Sequence, residues 1–303
     1  MTDTKLNHIT QLALVVVYYT AEEDGWLLDL HLQQIARCTT VPYRIYGAAH
    51  RLPQSLQPRL AAAANLTLSD VPPTNLRSTA EHAYYLEALA RQAVDDGASH
   101  IAVLHVDSFP IRRGWAEDLA ARLDERTAYI TMDHINTALL FFPAAFYRAH
   151  APRYVLAEED FDSPEYVALR RAHDLQPHSG IGYALCAFRN GLGWQELPDT
   201  TAAPPGPSGR VFGGLFFHLA RAAWIRGAHP SRLAGTRLAA ALARLSTFLI
   251  HRLRRGVLIR PLEIFHGRML RLEIEPDFRA QYTALQRDPQ GYLARRAGLK
   301  SQS

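Results

Sequence analysis

The sequence predicts an α/β protein: a mostly parallel central sheet, flanking helices and a helical C-terminal extension. Three observations predict it. Leu12–Tyr19 is an unbroken apolar run containing Val15, Val16 and Val17, which suits a strand buried on both faces. Strand-like and helix-like stretches then alternate, and such alternation implies parallel strands joined by right-handed crossovers. From Thr236 onward leucines recur at helical spacing with no strand signal.

The elements follow in order. After the first strand, Thr20-Ala21-Glu22-Glu23-Asp24-Gly25 places acidic residues where a helix start favours them. The helix is expected over Trp26–Arg37, with Leu27, Leu30 and Ile35 inward. Tyr43–Ala48 reads as a second strand and 51–75 as a long loop with four prolines. Thr79 is expected to cap a helix running to about Asp96, with Ala80, Ala83, Leu86 and Ala90 at helical spacing. Gly97 stops it, and a strand over Ile101–Leu104 follows. Beyond Gly114 come a helix, Trp115–Leu123, and a strand, Ala128–Met132. The pattern then loosens: Asn136–Phe142 suits a strand, Glu165–Asp174 a helix, and Gly180–Asn190 a helix stopped by Gly191. Thr200–Gly209, TTAAPPGPSG, reads either as a lid over a site or as a surface linker. Val211–Leu219 is apolar, glycine-rich and ends near His218.

Residues 100–115, HIAVLHVDSFPIRRGW, carry the most chemistry. A buried strand ends in His105-Val106-Asp107, and Ser108-Phe109-Pro110 breaks it. In an open α/β sheet the carboxyl edge is where ligands bind. An imidazole and a carboxylate one residue apart at such an edge suggest a cation holding a phosphorylated ligand. The alternative is a capped strand end with a solvated aspartate.

Composition bounds the partners. Apolar residues make up 48% and charged residues 20% of the 303, as in a soluble globular protein. The net charge of +4 is modest but uneven. Between Arg232 and Arg271 stand nine arginines and one acidic residue, Glu263, which points to an anionic partner. Leu238, Leu242, Leu245, Leu249 and Leu253 form one stripe of an amphipathic basic helix, which either packs on the α/β portion or attaches to anionic lipid. Two cysteines, Cys38 and Cys186, give no disulfide framework and suit a reducing cytoplasm. The eight-residue apolar run near the start is too short to span a bilayer and lacks signal-peptide flanks. A cytoplasmic protein is expected, peripheral to the membrane if the basic helix binds lipid. The chain has no G-x-G-x-x-G after its first strand, no P-loop, no G-x-S-x-G and no H-E-x-x-H, which argues against four common enzyme classes.

Taken together, these segments resemble a GT-A-type nucleotide-sugar glycosyltransferase, over roughly residues 10–220. LALVVVYYTAEEDGWLLDLHLQQI looks like the first strand and helix of family-2-like members, with Thr20 and Glu22 in the turn that approaches the nucleotide. STAEHAYYLEALARQAVDDGASHIAVLHVDSFPI is similar to the helix and strand leading to the family's D-x-D motif, with His82 where several members carry S-H-x-x-A-L. GGLFFHLARA resembles the segment in which a histidine, here His218, returns to the metal. GIGYALCAFRNGLGWQELP looks like the acceptor-side helix. Two departures stand out. His105 replaces the first carboxylate of D-x-D, leaving a site that can take Mn²⁺ but should hold Mg²⁺ more weakly. Where members carry an acidic base before the acceptor helix, this chain has His178, with Asp160 of the cluster Glu158-Glu159-Asp160 as the other candidate.

The resemblance implies a GT-A-like catalytic domain over 8–230 and a basic amphipathic helical extension over 231–303. It implies Mn²⁺ or Mg²⁺ held by His105, Asp107 and His218, with Arg112, Arg113 or Arg221 on phosphate. A sugar would pass from a nucleotide-diphosphate donor to the hydroxyl of a glycan, lipid-linked or small-molecule acceptor, as in cell-surface polysaccharide synthesis. For His218 an ordinary core histidine, and for His82 helix packing, are the alternatives. A non-catalytic scaffold binding anionic membrane or, less well supported, nucleic acid through the basic segment is the competing function.

Overall fold

The computed structural model describes residues 8–132, 135–173, 179–202, 206–220, 234–253 and 259–299. The chain forms two compact units, Met1–Thr200 with Val211–Phe217, and Thr201–Arg210 with His218–Ser303. The first is built on strands β1 (Leu12–Val17), β2 (Tyr43–Ala48), β3 (Leu66–Leu68), β4 (His100–Leu104), β6 (Thr127–Met132), β7 (Asn136–Pro143) and β8 (Gly193–Leu197). They form one sheet in the order β3-β2-β1-β4-β7-β6-β8. Strand β1 pairs in parallel with both β2 and β4, β2 with β3, and β6 with β8. Only β7 runs against its neighbours, β4 and β6. The α/β class, the mostly parallel sheet and the flanking and C-terminal helices are as the sequence predicts.

The helices are α1 (Gly25–Cys38), α2 (Gln57–Ala61), α3 (Ser78–Asp95), α4 (Trp115–Ala120), α5 (Ala144–His150), α6 (Pro164–His173) and α7 (Ile181–Arg189). Three expectations need correction. The segment 51–75 is not an unbroken loop, because Pro58 presets the first turn of α2 and Leu66–Leu68 adds an edge strand to β2. Thr79 does not cap α3: the helix already includes Ser78, and its N-cap is Arg77, which makes no side-chain capping bond. Helix α4 ends at Ala120, three residues before the expected Leu123. Gly97, at φ +87°, does end α3, with its own amide and that of Ala98 bonded back to Val94 and Ala93.

The strand order locates a ligand edge. From β1 the chain moves outward to β2 and β3, then crosses back to lay β4 on the other side of β1. The order therefore reverses between β1 and β4, and in open α/β sheets ligands settle outside the strand ends at such a switch point. The turn Thr20–Asp24 follows β1 there, and His105–Asp107 follows β4. Because β7 is antiparallel, its first residues, Asn136 and Thr137, lie at the same edge.

Strands β5 (Ser108–Pro110), β9 (Arg210–Phe212) and β10 (Phe216–His218) form a second sheet, in the order β5-β10-β9. The second unit contains α8 (Arg237–Leu253), α9 (Ile259–Arg287) and α10 (Pro289–Arg296). Helix α8 packs on α9, where Ser246 Oγ lies 2.9 Å from His266 Nδ1. The end of the Pro/Gly loop is bound within this unit: Asp277 accepts from the Ser208 amide at 3.1 Å, and buried Arg296 donates to the Gly209 carbonyl at 2.6 Å. Residues 203–205 of that loop lie outside the described residues.

Candidate metal centre

The site begins with the end of β4. Its last residue, Leu104, is in register with Val16 of β1 and Leu139 of β7, so the backbone leaves the sheet fully flanked. A turn closes at once, with the Ser108 amide bonded to the His105 carbonyl at 3.0 Å. Buried Ser108 Oγ donates to the Ala138 carbonyl at 2.6 Å and ties the turn to β7. The chain continues into β5, beside which lies β10. Ile111 donates its amide to Leu215 at 2.8 Å, and the rings of Phe109 and Phe217 pack at 5.4 Å. His218 is the next residue, the last of β10.

His105, Asp107 and His218 each offer one ligand atom, and these atoms all lie within 4.8 Å of one another. Asp107 is 8% and His218 7% exposed, so two of the three are withdrawn from water. Two imidazoles and one carboxylate form a donor set of intermediate softness, suited to a first-row divalent ion more than to Mg²⁺. This group can hold a metal ion.

A polar network adjoins His105. His105 Nε2 lies 3.1 Å from Thr137 Oγ1, and Thr137 Oγ1 lies 3.2 Å from Ser179 Oγ. Ser179 comes this close because Gly180 follows it at φ +101°, where a Cβ would sit 3.0 Å from the Ile135 carbonyl. The His82 ring meets His105 edge-on at 5.1 Å. His82 keeps some solvent access, yet surrounding atoms desolvate it and His105 adds its own charge when protonated, so its pKa falls to about 3. Fully buried His31 of α1 lies against the same turn, its pKa lowered to about 4 by burial, against the opposing pull of the Ser108 backbone and of Asp107. Both rings are neutral at neutral pH.

The remaining candidates are placed as follows. Thr20 is buried at the end of β1, whereas Glu22 is exposed; the buried carboxylate of that turn is Asp24. Asp160 forms an ion pair with Arg189 at 2.7 Å and accepts from the Ala157 amide at 3.1 Å. His178 and Arg221 lie outside the described residues. Arg112 lies 3.6 Å from Asp118 of α4, and Arg113 is exposed. Sequence reasoning missed Thr137, Ser179, His31 and Asp24. His31 carried a signal, since it lies one helical turn beyond the inward Leu27. Thr137 and Ser179 carried none, because a hydroxyl near the start of a strand or a helix is commonplace.

No protein-family model and no curated sequence matches the chain. Among solved structures it is similar to a mannosyltransferase from Pyrobaculum calidifontis in complex with GDP-Man and Mn²⁺, at 12% identity and a TM-score of 0.42, over 94% of this chain and 78% of that one. It is similar also to the glycosyltransferase GlyE of Streptococcus pneumoniae, at 14% identity and a TM-score of 0.36, over 63% of this chain and 46% of that one. A third is the galactosyltransferase LgtC with donor and acceptor sugar analogues, at 12% identity and a TM-score of 0.36, over 61% of this chain and 73% of that one.

Proposed function

We propose that this protein is a glycosyltransferase that moves a sugar from a nucleotide-diphosphate donor to an acceptor hydroxyl. The observation that carries it is the convergence of His105, Asp107 and His218 within 4.8 Å at the carboxyl edge of β4, beside the switch point of the sheet. The sequence resemblance to GT-A-type transferases, with residues 8–230 as the catalytic portion, supplies the reaction class; the donor set and its placement agree with that class.

His105, Asp107 and His218 would hold a divalent cation, with Mn²⁺ favoured over Mg²⁺ by the two imidazoles. Bound there, such an ion neutralises charge that develops on a departing nucleoside diphosphate. The protein's own groups do the rest. Thr137 and Ser179 hold the His105 ring in place, and His82 packs against it. Thr20 and the acidic turn Glu22–Asp24, at the same sheet edge, would receive the nucleotide. For the acceptor proton His178 is preferred to Asp160. It immediately precedes Ser179 in the chain, and imidazole titrates near neutral pH without help. Asp160 is already committed to Arg189. The acceptor is a glycan, a lipid-linked saccharide or a small molecule.

The test is release of nucleoside diphosphate from a panel of UDP- and GDP-sugars with Mn²⁺. Asp107→Ala should cut the rate by about 100-fold or more, as loss of several kcal/mol of charge stabilisation requires. Hydrolysis unaffected by Asp107→Ala, or none with any donor, would end this proposal. A second reading rests on the donor set itself, since two histidines and one carboxylate also make the facial triad of non-haem iron(II) oxygenases. Oxygen uptake with Fe(II), without donor turnover, would favour it.

A further inference from the structure

The expected leucine stripe of α8 does not lie as one buried seam. The helix turns Ala239, Ala243 and Ser246 inward. Leu238, Leu245 and Phe248 are instead 56%, 53% and 63% exposed. Positions 237, 238, 241, 244, 245 and 248 are all exposed and recur at three- and four-residue steps, so they form one continuous outer face. That face alternates Arg237 and Arg244 with the three large apolar side chains. The whole of Arg237–Leu253 contains no acidic residue.

From this we infer that the outer face of α8 docks on an anionic lipid surface. A helix lying in the plane of the interface needs an apolar strip to enter the acyl boundary and cations beside it to meet lipid phosphates. Both are present on the same face, at adjacent positions. A second copy of the chain suits it less well, because apposed α8 faces would bring arginines together with no acid on the helix to pair them. Nucleic acid would satisfy Arg237 and Arg244 but would leave Leu238, Leu245 and Phe248 against a phosphate backbone. This inference stands apart from the transferase reading and uses residues of the second unit alone.

Co-sedimentation of the full chain tests it, without metal or sugar donor. Vesicles of phosphatidylcholine are compared with vesicles in which about one third of the lipid is phosphatidylglycerol, a surface able to attract cationic side chains. Retention is expected on the anionic vesicles, weakened by salt, and little on the neutral ones. Arg237→Gln with Arg244→Gln should weaken it by about 30-fold, and Leu245→Glu with Phe248→Glu should abolish it. Circular dichroism and the unfolding midpoint should not move, as all four side chains are exposed; Phe248→Ser replaces the glutamate pair if that pair impairs folding. Equal retention of parent and variants overturns the inference. So does failure of the parent to sediment, whether it then proves to be a dimer broken by Leu245→Glu or to bind DNA instead. Neither failure bears on donor hydrolysis, which is measured separately.

Discussion

Thr137 governs how firmly the His105 ring is held, because its hydroxyl lies 3.1 Å from one ring nitrogen and 3.2 Å from Ser179 Oγ. Groups that orient a metal-ligating imidazole commonly change metal affinity by 10- to 100-fold when removed. Thr137→Val should therefore weaken Mn²⁺ binding by roughly 10- to 100-fold, and Thr137→Ser should keep it, as read from the free-Mn²⁺ electron paramagnetic resonance signal. Equal affinity in the valine variant would mean that contacts other than the Thr137 hydroxyl, the His82 ring among them, fix the His105 ring. A second residue, Glu87 of α3, accepts from the Tyr154 amide. Burial raises its pKa from about 4.5 to about 7, against the opposing effects of that amide, Arg91 and Arg153. The folded chain thus holds this proton more tightly than the unfolded one, so stability falls as pH rises from 4.5 to 7 and stays lowered above. At 1.36 kcal/mol per pK unit the full penalty is about 3 kcal/mol. Glu87→Gln should match the parent at pH 4 and exceed its stability at pH 8 by up to that amount, measured by urea unfolding.

Among the elements, α10 constrains the Pro/Gly segment. Its Arg296 is buried, with Nε 2.6 Å from the Gly209 carbonyl and Nη2 3.4 Å from the Ser208 carbonyl. A tether of this kind distinguishes residues 206–209 from a free linker, one of the two readings, linker or lid, that the sequence left open. Arg296→Met keeps much of the packing volume but leaves two carbonyls without this donor, a loss of about 1–3 kcal/mol. The unfolding midpoint should fall, and protease cleavage between Thr200 and Gly209 should quicken. An unchanged cleavage rate would show that the other ties, among them Asp277 to the Ser208 amide and the Leu219 carbonyl to the Gly209 amide, hold the segment without Arg296. Strand β7 illustrates a different point. Its antiparallel course brings the start of the strand, and with it Thr137, beside the end of β4. A register shift at Thr131/Met132 precedes it, and Thr131 Oγ1 spans to the Leu139 carbonyl at 2.9 Å.

For the molecule as a whole, a ligand held only by the folded state must raise stability. Mn²⁺ at about 100 times its dissociation constant should add about 2.7 kcal/mol and raise the unfolding midpoint by a few degrees. Asp107→Asn should abolish that shift while leaving the metal-free midpoint near its parent value, and a chelator should reverse it in the parent. A shift that survives in Asp107→Asn would place the bound ion elsewhere. The same scale shows what could be read in advance. Apolar runs such as Leu12–Val17 and Ile101–Leu104, punctuated by Gly97 and Gly114, determined the α/β class and the strands flanking the site, because burial on two faces leaves a continuous hydrophobic signature in one dimension. His105 and Asp107 were legible for the same reason, as polar residues ending such a run. The tertiary structure alone decided the direction of β7, the contact of Thr137 with His105, the burial of Asp24 rather than Glu22, and the splitting of half-buried Leu242 and Leu249 from exposed Leu238 and Leu245 on α8. Each depends on what a neighbouring element presents at a given height and angle, and residues far apart in the chain carry no local pattern that records it.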